Sequence, residues 1–170
     1  DPLEAAMICE LKDITPTVPH NVSNALAAAA LARTVNVSHE HIQKALQEFK
    51  PGRHRIETVY ASNLVSWVND SKATNPHAAS ASLMSHLSVV WIAGGLAKGA
   101  EMSSLVQRCK GRIKAAILIG ADRQLIEDAL QEHAPDIPRV LLDAPADYTR
   151  GGDSNSLMEA VVSQAATLVA

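Results

Sequence analysis

Apolar residues run along this chain in two different rhythms, and the change between them falls near residue 52. From His20 to about Asn36 the sequence is Ala-rich, with Val22, Leu26 and Leu31 set among small residues. That composition predicts a strong helix able to lie close against a neighbour. Ser38 suits the N-cap of a second helix, in which Ile42, Ala45, Leu46 and Phe49 follow i, i+3, i+4, i+7 spacing until Pro51-Gly52. Two such helices have too little surface to make a domain. Residues 1–52 therefore read as the mostly helical tail of a preceding domain, and residues 53–170 as a second one.

Beyond the boundary, strands alternate with helices. Leu64–Val68 reads as a strand, and Asn75-Pro76 as an N-cap and first-turn proline for a helix running to about His86. Ser88–Ala93 is a continuous apolar run of the kind buried on both faces. A helix with Met102, Leu105, Val106 and Cys109 follows, and Ala115–Ile119 is the next buried strand. Leu125, Ile126, Ala129 and Leu130 mark another helix, Val140–Leu142 a short strand, and Leu157, Ala160, Val161 and Leu168 a last helix. Repeated strand–helix units with right-handed crossovers predict an α/β fold with a parallel, three-layer sheet.

Composition narrows the class. Hydrophobic residues make up 47% and charged residues 19%, as in a folded water-soluble chain, while only 3% aromatics leave the core to Ala, Val, Leu and Ile. A net charge of -3 gives no footprint for nucleic acid. No apolar run approaches the roughly 20 residues that span a bilayer. Cys9 and Cys109 fit no paired-ligand spacing and no disulfide framework. The first residues lack an initiator Met and a basic-then-apolar leader, and the last ones fall inside a helical pattern, so a piece of a longer cytoplasmic protein is expected.

In parallel sheets, ligands collect at the carboxyl ends of strands. Two loops there are rich in functional groups. Asn69-Asp70-Ser71-Lys72-Ala73-Thr74-Asn75 sets a carboxylate, an ammonium and hydroxyls beside a helix N-terminus, a setting for anions; a capped turn with a solvated charge pair is the plainer alternative. Gly94-Gly95-Leu96-Ala97-Lys98-Gly99 follows a buried strand, and Lys98 can serve as a point charge toward phosphate or carboxylate; a purely structural Gly-Gly turn is the alternative. It matches neither a Walker A loop nor a dinucleotide fingerprint. Arg53-His54-Arg55-Ile56-Glu57, at the boundary, either clamps a phosphate or is a solvated basic linker. His39 and His41 point to different helix faces and make poor metal partners.

These clusters occur in a familiar order. His20-Asn21-Val22-Ser23-Asn24-Ala25-Leu26-Ala27-Ala28 resembles the H-N-x-x-N-A-L-A-A motif of the Mur ligases, and Gly52 through Glu57 is similar to the H-R-x-E segment that opens their C-terminal domain. Asn69 through Pro76 resembles the form peculiar to the D-glutamate-adding member, and Ile92 through Gly99 its glycine-rich loop. The resemblance implies a Rossmann-like C-terminal domain after the end of the central, ATP-hydrolysing domain. It implies ATP and Mg²⁺ as cofactors, UDP-N-acetylmuramoyl-L-alanine and D-glutamate as substrates, and an acyl-phosphate intermediate. Carried over, Asn21 and Asn24 lie near the adenine, Arg55 holds a terminal phosphate and Asp70 the ribose. Lys72 faces the phosphate and acyl centre, with Lys72 and Arg55 the catalytic pair, and Thr74 and Lys98 bind the carboxylates of D-glutamate. The metal ligands are expected outside these residues. A cytoplasmic bacterial monomer, with no nucleic-acid or membrane partner, is implied.

The sequence also departs from the family pattern. It holds no G-x-x-x-x-G-K-[ST]. The phosphate loop, the Mg²⁺ ligands with a carbamylated lysine, and the UDP-binding domain are expected upstream of Asp1. A last strand with a serine-bearing loop is expected after Ala170. These residues alone are expected to be inactive. Two other readings stay open: another amide ligase of the superfamily, of folylpolyglutamate or cyanophycin type, and a non-catalytic nucleotide- or amino-acid-binding α/β module.

Overall fold

Pro19, with its fixed φ, opens the first helix and the alanines after it carry it on. In the computed structural model, which describes residues 7–95, 101–143 and 154–169, α1 spans Pro19–Thr34 and α2 spans His39–Glu48. Ser38 caps α2 as expected, its side chain accepting the His41 N–H. Helix α1 buries Ala25 and Ala29 but leaves Leu26 and Leu31 exposed, as is Val35 at its C-cap. In α2 only Ile42 is buried; Phe49, expected to continue the apolar stripe, is the C-cap residue and is exposed. An apolar stripe needs a partner surface, and the described residues of this part of the chain supply little.

The chain divides into two compact units, residues 1–59 with 68–70, and residues 60–67 with 71–170. The division runs through a β-hairpin of β1, Glu57–Ser62, and β2, Val65–Asn69. Its two connecting residues, Asn63 and Leu64, have φ of 51° and 65°, the left-handed pair of a type I′ turn. The sequence pattern predicts one strand here, starting at Leu64, in the parallel sheet. The structure instead pairs Val65–Asn69 with β1 in a separate sheet and puts Leu64 in the turn, fully exposed. The alternation rule misses β1 because its side chains are exposed almost throughout.

In the second unit, β3 (Val89–Gly94), β4 (Ile113–Ile119) and β5 (Arg139–Leu141) form a parallel sheet in that order. Helices α3 (Pro76–Met84), α4 (Ser103–Cys109), α5 (Arg123–His133) and α6 (Ser154–Val169) complete it. Side chains alternate between faces along each strand. Ala116 and Leu118 of β4, with Trp91 and Ala93 of β3, face Val106 of α4 and Ile126, Ala129 and Leu130 of α5. Ile117, with Val90 and Ile92, faces Val161 and Ala165 of α6. Leu83 of α3 joins Leu105, Cys109 and Ile113 in a cluster beside the first. The result is the expected three-layer α/β arrangement.

The amino edge of the sheet gathers helix C-termini, whose carbonyls are negative dipole ends. Lys110 Nζ donates to the His133 carbonyl at the end of α5, and Lys114 Nζ to the Val169 carbonyl at the end of α6, both at 3.2 Å. Arg139 Nε donates to Glu127 Oε1 at 2.8 Å, tying β5 to α5 where both side chains are largely covered.

Two outcomes follow. Ile117→Ala, which empties a site with no solvent exposure, should lower the unfolding free energy by about 2–5 kcal/mol, whereas Leu31→Ala should change it by less than about 0.5 kcal/mol, measured by urea unfolding. Leu64→Gly should raise stability by roughly 0.5–1 kcal/mol, because a Leu in the left-handed region costs roughly 1–2 kcal/mol and glycine returns part of that gain as chain entropy.

Candidate active site

In the first unit, the turn leading into β1 is held by side chains from both strands of the hairpin. Glu57 Oε2 accepts the His54 backbone N–H at 2.8 Å, and Glu57 Oε1 lies 3.6 Å from Arg53 Nε. Across the hairpin, Asp70 Oδ1 accepts the Ile56 N–H at 3.1 Å, and Asn69 Nδ2 donates to His54 Nδ1 at 2.9 Å. Arg55 stands in the middle of this turn with its side chain exposed. The hydrogen bond from the His54 N–H, then the positive charge of Arg53, hold the Glu57 carboxyl below its ordinary pKa. A depressed carboxylate pKa means that this contribution is present at neutral pH and fades as pH falls through the acid range.

Asn21 and Asn24 lie elsewhere in this unit, one turn apart on α1. Asn21 is half-buried and its Nδ2 donates to the Pro16 carbonyl at 2.9 Å; Asn24 is exposed. An apolar hollow of about 80 Å³ lies near them, lined by Ile14, Val22, Ala29 and Leu46 among others, but no candidate residue lines it. The described candidate groups therefore lie outside that hollow, with Asn24 and Arg55 on exposed surface.

In the second unit, Ser71-Lys72-Ala73-Thr74 leads into α3, and the Thr74 N–H donates to the Lys72 carbonyl at 2.9 Å. Asn75 Oδ1 caps the helix through the Ala78 N–H at 2.9 Å, and Pro76 follows at the first helical position, as expected. Lys72 and Thr74 are both exposed. A helix that leads into a parallel strand runs against it, so the N-terminus of α3 faces the carboxyl edge of the sheet, where its dipole favours anions.

That edge is drawn tight. A Cβ on Gly94 would come within 1.9 Å of the Ile119 carbonyl oxygen, and Gly120, at φ 81°, would bring one within 2.7 Å of the Gly95 nitrogen. Only glycine allows the ends of β3 and β4 to approach so closely. Arg123 adds an ion pair to Asp143 after β5. Lys98, on the loop after Gly95, lies outside the described residues.

The structure thus brings Arg55 and Asp70 into one hydrogen-bonded turn, through the backbone of Ile56, and sets Lys72 and Thr74 together before α3. His54, Glu57 and Asn69 are the participants to which sequence reasoning gave no role. Two local signals bear on Glu57: it stands three residues after His54, as a capping partner does, and it closes the H-R-x-E segment.

The Mur ligase, glutamate ligase domain family matches residues 54–168. The chain is 51% identical over 137 residues to the UDP-N-acetylmuramoylalanine–D-glutamate ligase of Thermobifida fusca, covering 81% of this chain and 30% of that protein. It is 47% identical over 157 residues to the protein of the same name from Streptomyces coelicolor (92% of this chain, 32% of that one), and 45% over 167 residues to that of Leifsonia xyli (98% and 31%). The chain therefore spans about a third of the length of the curated relatives it matches. In fold it is similar to the crystal structure of UDP-N-acetylmuramate-alanine ligase from Thermotoga maritima, with a TM-score of 0.57 at 17% identity over 81% of this chain and 33% of that one. The match across most of its length makes the chain a member of the Mur ligase family, through its glutamate ligase domain.

Proposed function

We propose that these residues are part of an ATP-dependent ligase that adds D-glutamate to UDP-N-acetylmuramoyl-L-alanine in peptidoglycan precursor synthesis. The observation that carries this reading is the 51% identity to a relative bearing that ligase's name. The Asn69–Pro76 loop, which resembles the form peculiar to the D-glutamate-adding enzyme, supports it. On this reading residues 1–52 end the central, ATP-hydrolysing domain, and residues 53–170 belong to the C-terminal domain. The enzyme is a bacterial cytoplasmic monomer. No described helix is long and apolar enough to cross a membrane, and the net charge of -3 offers nothing to nucleic acid.

The chemistry forms one amide bond. The substrate's terminal carboxylate takes the γ-phosphoryl group of ATP, releasing ADP and leaving an acyl phosphate. The D-glutamate amine attacks the acyl carbon, and phosphate departs from the tetrahedral intermediate. Arg55 offers an exposed guanidinium to a terminal phosphate, and Asp70, half-buried, offers a carboxylate to ribose hydroxyls. Asn21 and Asn24 serve the adenine. The exposed ammonium of Lys72 offsets negative charge at the phosphate and acyl centre. Thr74 and Lys98 hold the carboxylates of D-glutamate. Mg²⁺, when bound, neutralises phosphate charge. No group of three His, Cys, Asp or Glu able to hold a metal ion occurs among the described residues, and we assign its ligands to the preceding part of the enzyme.

Phosphate release tests the reading. The 170-residue chain alone should neither hydrolyse ATP nor ligate D-glutamate. Placed between the flanking segments of the Thermobifida fusca enzyme, so that the full length is restored, it should ligate D-glutamate in strong preference to L-glutamate. In that enzyme Lys72→Ala should lower kcat on the order of 100-fold, and Thr74→Ala should raise the KM for D-glutamate about tenfold. Preference for L-glutamate would favour the folylpolyglutamate type. Tight binding of ATP analogues or D-glutamate by the isolated chain, measured by calorimetry, would favour a binding module.

A further inference from the structure

Arg55 is bracketed by two residues in the left-handed region, which histidine enters only occasionally and a β-branched isoleucine rarely. His54 has φ 65° and Ile56 φ 49°. Side chains with a Cβ disfavour this region, and a β-branched residue there is a clear outlier. Such strain persists only where surrounding groups fix it, and it concentrates where a side chain must be aimed.

Each strained residue is held. Glu57 Oε2 accepts the His54 N–H at 2.8 Å, and Asp70 Oδ1 accepts the Ile56 N–H at 3.1 Å. Both are charge-assisted bonds, stronger than neutral ones. A third bond, at 2.9 Å, runs from Asn69 Nδ2 to His54 Nδ1. An amide nitrogen donates, so Nδ1 is the acceptor in this bond. Glu57 Oε2 lies 3.8 Å from Nδ1 but 2.8 Å from the backbone nitrogen, so the backbone N–H is what Glu57 grips. The holding groups come from the start of β1 and the end of β2, so the hairpin assembles the clamp.

We propose that Glu57 and Asn69, together with Asp70, are positioning residues that lock the left-handed turn around Arg55 and so fix the direction in which its guanidinium is presented to a nucleotide phosphate. This rests on the reading of Arg55 as a phosphate ligand given above. It gives Asp70 a second task, through the oxygen bonded to Ile56, and gives Glu57 and Asn69 tasks that require no contact with substrate.

The test uses the full-length ligase containing these residues. Glu57→Ala should raise the KM for ATP about tenfold and leave the KM for D-glutamate within about twofold, because the effect passes through Arg55 alone. Glu57→Gln, which keeps an acceptor for the His54 N–H, should restore ATP use to within about threefold of the parent. Adding Glu57→Ala to Arg55→Ala should cost nothing further, as expected of residues that act as one unit. Additive effects, a Gln variant as poor as the Ala variant, or equal losses for both substrates would overturn the proposal. Amide hydrogen exchange reads the clamp without reference to activity: the His54 and Ile56 amides should exchange slowly, and His54 about tenfold faster in Glu57→Ala. Unchanged exchange would overturn the clamp whatever Arg55 does. An Arg55→Ala enzyme with unaltered ATP kinetics, but with the exchange result as expected, would instead overturn the reading of Arg55 as a phosphate ligand. Should Glu57→Ala not fold, Asn69→Ala serves, with a smaller rise in the KM for ATP and faster exchange at His54.

Discussion

The second unit depends on one strand whose middle meets water on neither face. In β4, Ala116, Ile117 and Leu118 have no solvent exposure, yet successive side chains of a strand point in opposite directions. Burying all three requires a layer on each side: α4 and α5 over Ala116 and Leu118, and α6 over Ile117. The flanking strands must run parallel to β4, because each is reached through a crossover helix. From that single requirement follow the order β3-β4-β5 and the collection of all loops after strands on one edge.

The same arrangement sorts charge. Helices antiparallel to parallel strands point their N-termini to the carboxyl edge and their C-termini to the other. At the amino edge the chain spends lysines on the negative ends, with Lys110 on the His133 carbonyl and Lys114 on the Val169 carbonyl. At the carboxyl edge the opposite need arises. The N-terminus of α3 is served by Asn75, an uncharged cap, and Lys72 stands just before it. A cation beside a positive helix end is locally unfavourable, and an arriving anion relieves it. A loop built only for stability would put a carboxylate there.

Legibility in the sequence followed periodicity and order. Strands β3 and β4 and the helices around them were readable because burial on known faces leaves apolar residues at known spacing, and Asn75-Pro76 marked its helix start through cap chemistry. Strand β1 was not, because its exposed residues carry no such signal; nor was the turn, since Leu64 looks like the first apolar residue of a strand. In the candidate site, the residue types of Asn69–Pro76 and of Arg53–Glu57 were readable, but their connection was not. The Ile56 to Asp70 bond joins positions 14 apart in sequence, and the left-handed dihedrals of His54 and Ile56 exist only once the hairpin has formed. Long-range pairing and backbone conformation leave little trace in a local pattern.

Exposure of the candidate groups sets the physical problem that the turn answers. Arg55, Lys72 and Thr74 stand on open surface, where a long cationic side chain carries about 2 kcal/mol of rotamer entropy that a bound anion must remove, and where water weakens each charge pair. One remedy is enclosure, but the apolar hollow of the first unit lies among other residues and cannot provide it. The other is to fix the backbone beneath the side chain before the ligand arrives. Left-handed residues on both sides of Arg55, each bound through its N–H to a carboxylate, do that at the cost of strain. An exposed arginine on a clamped turn therefore has a directional preference that one on an ordinary linker lacks, which weighs against the solvated-linker alternative for Arg53–Glu57.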